Sequence, residues 1–102
     1  MWVLRADGLA DKPEGKTFRL SDGSIKTVGR ATRADFIVDA PLVSRVHCRL
    51  TADKSGQLIV EDLESTNGTH INGKRITRAI AKPGDQLGVG QVVLSVSRND
   101  NV

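Results

Sequence analysis

Three short segments carry the side chains of this chain that are equipped for chemistry. Val43-Ser44-Arg45-Val46-His47 holds a hydroxyl, a guanidinium and an imidazole, and Glu64-Ser65-Thr66-Asn67-Gly68-Thr69 adds further hydroxyls and a side-chain amide. Val28-Gly29-Arg30 contributes a second guanidinium. Guanidinium, hydroxyl and amide groups donate hydrogen bonds, and fixed donors are what a phosphate needs. The partners that a reaction would need are missing. Ser44 and Arg45 taken with Glu61 or Asp62 leave no base in a plausible position, and nothing resembles a nucleophile elbow. There is no P-loop and no dinucleotide fingerprint. His47 invites a metal or catalytic reading, yet the only other histidine is His70, and strand alternation would send Cys48 to the face opposite His47. Zinc would lack further ligands at suitable spacing. The donors therefore point to a surface that holds phosphate, with no catalytic residue, cofactor or metal.

The elements that must position these donors read as strands. Short apolar alternations recur between turn signals, and no window sustains a helical period for three turns. The expected strands are 2–5, 17–20, 25–29, 36–38, 46–52, 57–63, 69–71, 74–76, 86–89 and 91–97. Ser21-Asp22-Gly23 and Asp53-Lys54-Ser55-Gly56 supply turn chemistry, and Asn72-Gly73 is a two-residue hairpin signal. The longer joins, 39–45 and 64–68, are the ones that carry the donors. Within 46–52 the alternation places Val46, Cys48 and Leu50 on one face and His47, Arg49 and Thr51 on the other. Many short strands without a helix predict an all-β sandwich. One domain over residues 1–97 is expected, with 98–102 as a polar tail or the start of a linker.

Composition narrows the function classes. The 102 residues suit one domain, and 38% hydrophobic against 3% aromatic residues requires a core of branched aliphatics. Only Trp2, Phe18 and Phe36 are available to stack bases, so single-stranded nucleic acid is poorly served. A net charge of +3 suits an anionic ligand and falls short of a dedicated duplex binder. Cys48 is the single cysteine, which fits an intracellular setting, and no stretch has the length of a signal peptide's apolar run or a membrane span.

Taken in order, Gly29-Arg30, Ser44-Arg45-Val46-His47, Ser65-Thr66-Asn67-Gly68-Thr69 and Asn72-Gly73 resemble the forkhead-associated (FHA) domain. The similarity covers nearly the whole chain, from Phe18 to Val96. It implies an eleven-stranded β-sandwich of two antiparallel-rich sheets whose loops at one end bind phosphothreonine in a partner protein. It also implies roles. Arg30, Ser44, Arg45 and Thr66 would meet the phosphate, and Asn67 would bond the ligand backbone on both sides of the phosphothreonine. His47 would be a structural brace, its ring bonded to loop backbone, while Gly29 and Gly68 meet backbone requirements. A small apolar pocket for the γ-methyl would select threonine over serine. Such an ester carries about −1.5 to −2 charges and three acceptor oxygens, which the donor set answers independently.

Each residue has a plainer alternative. Arg30 at a strand end has Asp35 or Asp39 within reach as ion-pair partners, Ser44 has its own loop to cap, and Arg45 has solvent. For Asn67 the alternative is a left-handed turn residue ahead of Gly68. The partner expected is a phosphothreonine protein or peptide bound by a monomeric domain, with no small-molecule substrate and no membrane. The competing function is a phosphate-independent scaffold, or a nucleic-acid surface formed by Arg30, Arg33, Arg45, Arg49, Lys74 and Arg75. The opening Met1-Trp2-Val3-Leu4 is similar to nibrin-like proteins of the double-strand-break response, which would place the protein in the nucleus; otherwise the cytoplasm is expected. Leu42 and the 79–84 region are the candidates for reading residues that flank the phosphate.

Overall fold

The computed structural model describes residues 1–99, which form eleven strands and no helix. In chain order these are β1 (Trp2–Ala6), β2 (Lys16–Leu20), β3 (Ile25–Gly29), β4 (Phe36–Ile37), β5 (Cys48–Ala52) and β6 (Leu58–Asp62). They continue as β7 (Thr69–Ile71), β8 (Lys74–Ile76), β9 (Arg78–Ala81), β10 (Gln86–Val89) and β11 (Val92–Arg98). One sheet runs β2-β1-β11-β10-β7-β8 and the other β4-β3-β5-β6-β9. Only the short β3–β4 pair is parallel. This is the two-sheet sandwich of the FHA type expected from the sequence.

Alternation along each strand builds the core. Leu4, Leu50, Leu58, Val60, Leu87 and Leu94 are all fully buried between the sheets, each supplying about 1.5–3 kcal/mol by leaving water. One open side is closed by Phe18 of β2 against Phe36 of β4, stacked at 4.8 Å between ring centroids. Lys16 ties the same sides together through its 2.7 Å hydrogen bond to the Ile37 carbonyl. At the β7–β8 hairpin, Asn72 and Gly73 both take positive φ, as a type I′ turn requires.

Two expectations need correction here. Residues 79–81 are not part of a ligand-reading loop: they belong to β9, paired with β6, and the turn at 82–85 lies at the end away from the donors. The strand escapes pattern reading because Ala79 and Ala81 face inward while Arg78 and Ile80 are exposed, Ile80 by 49%. Second, the alternation fails at the start of 46–52. His47 is as buried as Cys48 next to it, and the strand proper begins at Cys48. At the C-terminal side β11 runs through Arg98, one residue past the expected boundary; 100–102 of the expected tail lie outside the described residues.

Candidate functional site

The 38–47 segment is an extension of the sheet in all but name. Backbone bonds link Arg30 N to Ser44 O (3.0 Å), Ala31 N to Arg45 O (3.1 Å) and His47 N to Val28 O (2.7 Å). The two chains approach so closely at Gly29 that a Cβ there would sit 2.1 Å from the Arg45 carbonyl oxygen. Glycine is required by this contact, not by its φ. Val43, 2% exposed, pins the middle of the loop into the core. From the far side Gly90 presses on the same segment, where a Cβ would come within 2.5 Å of the Leu42 oxygen.

His47 connects this loop to the second one. The Ser44 N–H donates to His47 Nδ1 at 3.0 Å, and Nε2 lies 2.8 Å from the Gly68 carbonyl. An accepting Nδ1 leaves the proton on Nε2, so the ring is neutral and both nitrogens are engaged by backbone. It has no free nitrogen with which to act as a base for Ser44.

The 64–68 loop is held from below by a carboxylate. Asp62 accepts from Ser65 Oγ at 2.5 Å, from Thr69 Oγ1 at 2.7 Å and from the Ser65 N–H at 3.3 Å. Ser65 Oγ in turn accepts the Gly68 N–H at 3.0 Å. Partial burial pushes the Asp62 carboxyl up, but the bonds from Ser65 and Thr69 outweigh it and hold it below its ordinary 3.8. Cys48 beneath responds in the opposite sense: burial, with the Asp62 charge, pushes its thiol up to about 12, which makes it inert.

With both loops braced, the donors gather at one end of the sandwich. Thr66 N–H donates to Ser44 Oγ at 3.1 Å, and Asn67 Nδ2 donates to the Leu42 carbonyl at 3.1 Å. Arg30 spends only Nε, on the Val43 carbonyl at 3.1 Å, and its remaining N–H groups are exposed. Among the described residues neither Asp35 nor Asp39 pairs with it; Asp35 is bonded to Thr27. Arg45, Thr66 and Asn67 are exposed, and Ser44 is half-buried. The left-handed residue of the second loop is Glu64 (φ 56°), so Asn67 does not fill the turn role weighed for it. Gly68 does have positive φ, at 87°. Of the six residues proposed for a nucleic-acid patch, Arg49 is paired with Glu61 at 3.1 Å on the outer face of the five-stranded sheet.

Sequence reading gave Ser65, Asp62, Val43 and Gly90 no role. The three-residue spacing from Ser65 to Gly68, with Asp62 three residues earlier, carried a signal for a side-chain-braced turn. Gly90 carried none, because its partner is a backbone oxygen nearly fifty residues away in sequence.

Comparison with known proteins agrees with this geometry. The FHA domain family model matches residues 26–90, from β3 to the end of β10. The Mycobacterium tuberculosis ABC transporter ATP-binding/permease protein Rv1747 is 34% identical over 83 residues, covering 81% of this chain and 9% of that protein. The glycogen accumulation regulator GarA of the same organism is 31% identical over 72 residues, 71% of this chain and 44% of its own length. The chain thus spans less than half the length of these relatives. Among solved structures, one from a study of phosphothreonine-dependent FHA domain interactions superposes with a TM-score of 0.85 at 27% identity, covering 98% of both chains. The FhaA FHA domain, crystallised with the intracellular domain of Rv3910, gives 0.81 at 28% identity, over 94% of this chain and 99% of that one. On motif order, sheet topology and family match alike, the chain belongs to the FHA domain family.

Proposed function

We propose that this domain binds phosphothreonine in partner proteins and so recruits phosphorylated partners in signalling, without catalysing a reaction on them. The observation that carries this reading is the pairing of free donors with a fully committed His47. Arg30, Ser44, Arg45 and Thr66 present donors at one end, while the imidazole of His47 beneath them is locked between Ser44 N and Gly68 O. Such a site is suited to hold a phosphate and leave it intact. Asn67 takes the ligand backbone in this reading, exchanging its bond to Leu42 O for one to the peptide. Gly29, His47 and Gly68 serve as supports.

A small, loop-built contact of this kind supports a dissociation constant on the order of micromolar, about −8 kcal/mol. Fluorescence anisotropy with one peptide in threonine, phosphoserine and phosphothreonine forms tests the proposal. Binding of the phosphothreonine form alone, or at least about tenfold tighter than phosphoserine through its extra methyl, is the expected result. Equal binding of all three forms would sink it. A regulatory role is in keeping with a relative such as the glycogen accumulation regulator GarA. The double-strand-break response and a nuclear location gain no support from these relatives.

A further inference from the structure

The second binding loop contains a dipeptide that can react with itself. In Asn67-Gly68 the side-chain amide carbon of Asn67 stands one residue from the backbone nitrogen of Gly68, and glycine's missing side chain leaves that nitrogen open to approach. Attack of the Gly68 nitrogen on Asn67 Cγ forms a C–N bond and breaks the bond to Nδ2. The amide leaves as ammonia, carrying off the Gly68 amide proton, and a succinimide ring remains. Water then opens the ring at one carbonyl to give aspartate, or at the other to give isoaspartate. Nothing is oxidised or reduced, and no enzyme is required. Asn67 is exposed, so the water for the second step is at hand.

The fold restrains both reacting groups. The Gly68 N–H donates to Ser65 Oγ at 3.0 Å, which holds the proton that the attacking nitrogen must lose. Ser65 is fixed in its turn by Asp62, its hydroxyl donating at 2.5 Å. The Asn67 amide is tied separately, Nδ2 donating to the Leu42 carbonyl at 3.1 Å. The chain also carries its own reference, Asn72-Gly73 in the β7–β8 turn. There the asparagine amide donates to Asp85 at 3.0 Å and its carbonyl accepts the Gln86 N–H at 2.9 Å. The two dipeptides share a chemistry and no bonding partner, so a change confined to the 64–68 loop alters the first and spares the second.

We infer that Asn67 is a site of spontaneous deamidation restrained by the Ser65–Gly68 bond, and that an empty binding loop ages while an occupied one is protected. The product matters because of where it forms. A carboxylate at position 67 arises at the end of the sandwich where the Arg30 and Arg45 guanidiniums are open, and it offers them an anion of the loop's own. The restraint stands on the loop's own bonds; protection by ligand, and the loss of affinity on ageing, rest on the phosphothreonine reading.

The test incubates the domain in mildly alkaline buffer and follows each asparagine by fragmentation mass spectrometry. Ser65→Ala should raise the Asn67 rate by about two- to tenfold, the worth of one hydrogen bond, with the Asn72 rate as in the parent. An unchanged Asn67 rate overturns the inference. If both rates rise together the variant has loosened throughout, and a free peptide of residues 62–70 decides: it must deamidate faster than the folded parent, and equal rates overturn the restraint. A saturating phosphothreonine peptide should slow Asn67 and leave Asn72 alone. A phosphopeptide that binds without slowing Asn67 overturns protection by ligand. One that does not bind overturns the phosphothreonine reading and leaves the Ser65 restraint standing. Asn67→Asp, the product made directly, should bind the phosphopeptide at least about tenfold more weakly; equal affinity would show that ageing has no effect on the site.

Discussion

The two ends of the sandwich use arginine in opposite ways. At the end away from the loops, Arg98 closes on Asp22 with 2.7 and 3.0 Å bonds, lies 5.1 Å over the Trp2 ring, and shares Asp22 with the N-terminal ammonium. Charge there is consumed in joining the first and last strands. At the loop end the order is reversed: His47, backbone bonds and Ser65 on the Asp62 carboxylate do the holding, and beyond the Arg30 Nε bond to Val43 O the guanidiniums of Arg30 and Arg45 are left to solvent. Asp62, the carboxylate bonded to the 64–68 loop, is taken up by hydroxyls and a backbone N–H and pairs with no arginine among the described residues. A site for an anion can be rigid only if something other than its cations provides the rigidity. The acid that braces the 64–68 loop spends itself on Ser65 and Thr69, and so leaves the guanidinium donors unoccupied.

That contrast can be broken most severely at His47. His47→Ala strands a buried Ser44 N–H and the Gly68 carbonyl and leaves a cavity, so a loss of about 3–5 kcal/mol is expected in urea unfolding, with phosphopeptide binding abolished. Arg30→Ala should do the converse: binding weaker by about 10–100-fold in calorimetry, stability changed by no more than about 0.5 kcal/mol. Gly29→Ala lies between, driving a methyl into the Arg45 carbonyl; a cost of about 1–3 kcal/mol with an accompanying loss of affinity is expected, and a variant that keeps full affinity would show the loop is softer than drawn. Arg98→Ala should lower the urea unfolding midpoint slightly and leave affinity untouched, which is the sharpest check that the ends are independent.

The smallest effect is in pH. Asp62 and Asp22 both titrate below their ordinary 3.8, Asp22 chiefly through its bond with Arg98. A carboxyl depressed in the folded state stabilises above its unfolded pKa, and that stabilisation is lost as pH falls through the folded value. Acid unfolding below about pH 4 should therefore be shallower in Asp62→Asn than in the parent, followed by circular dichroism.

Much of this was legible in the chain. Period-two patterning located ten of the strands, and Asn72-Gly73 announced its hairpin, because these are local signals. What stayed hidden was what depends on distant partners. β9 keeps its large apolar residue outside and its alanines inside, so only the register with β6 reveals it. His47 breaks the alternation of its own strand because Gly68, across the sandwich mouth, offers its ring a partner that solvent would otherwise supply. The donors could be found by type, and their braces only by contact.

The bond from Thr66 N–H to Ser44 Oγ has a consequence for what the pocket tolerates. An oxygen already receiving a proton from the backbone is steered toward giving its own away, so Ser44 faces a ligand as a giver. Alongside two guanidiniums, that leaves the mouth of the site with much to offer and little to accept. A phosphate ester dianion that takes up one proton, near pH 6, brings a hydroxyl to groups with scant use for one. On the proposed phosphothreonine reading the pocket should favour the dianion over the monoanion, a discrimination written into one backbone amide before any peptide arrives.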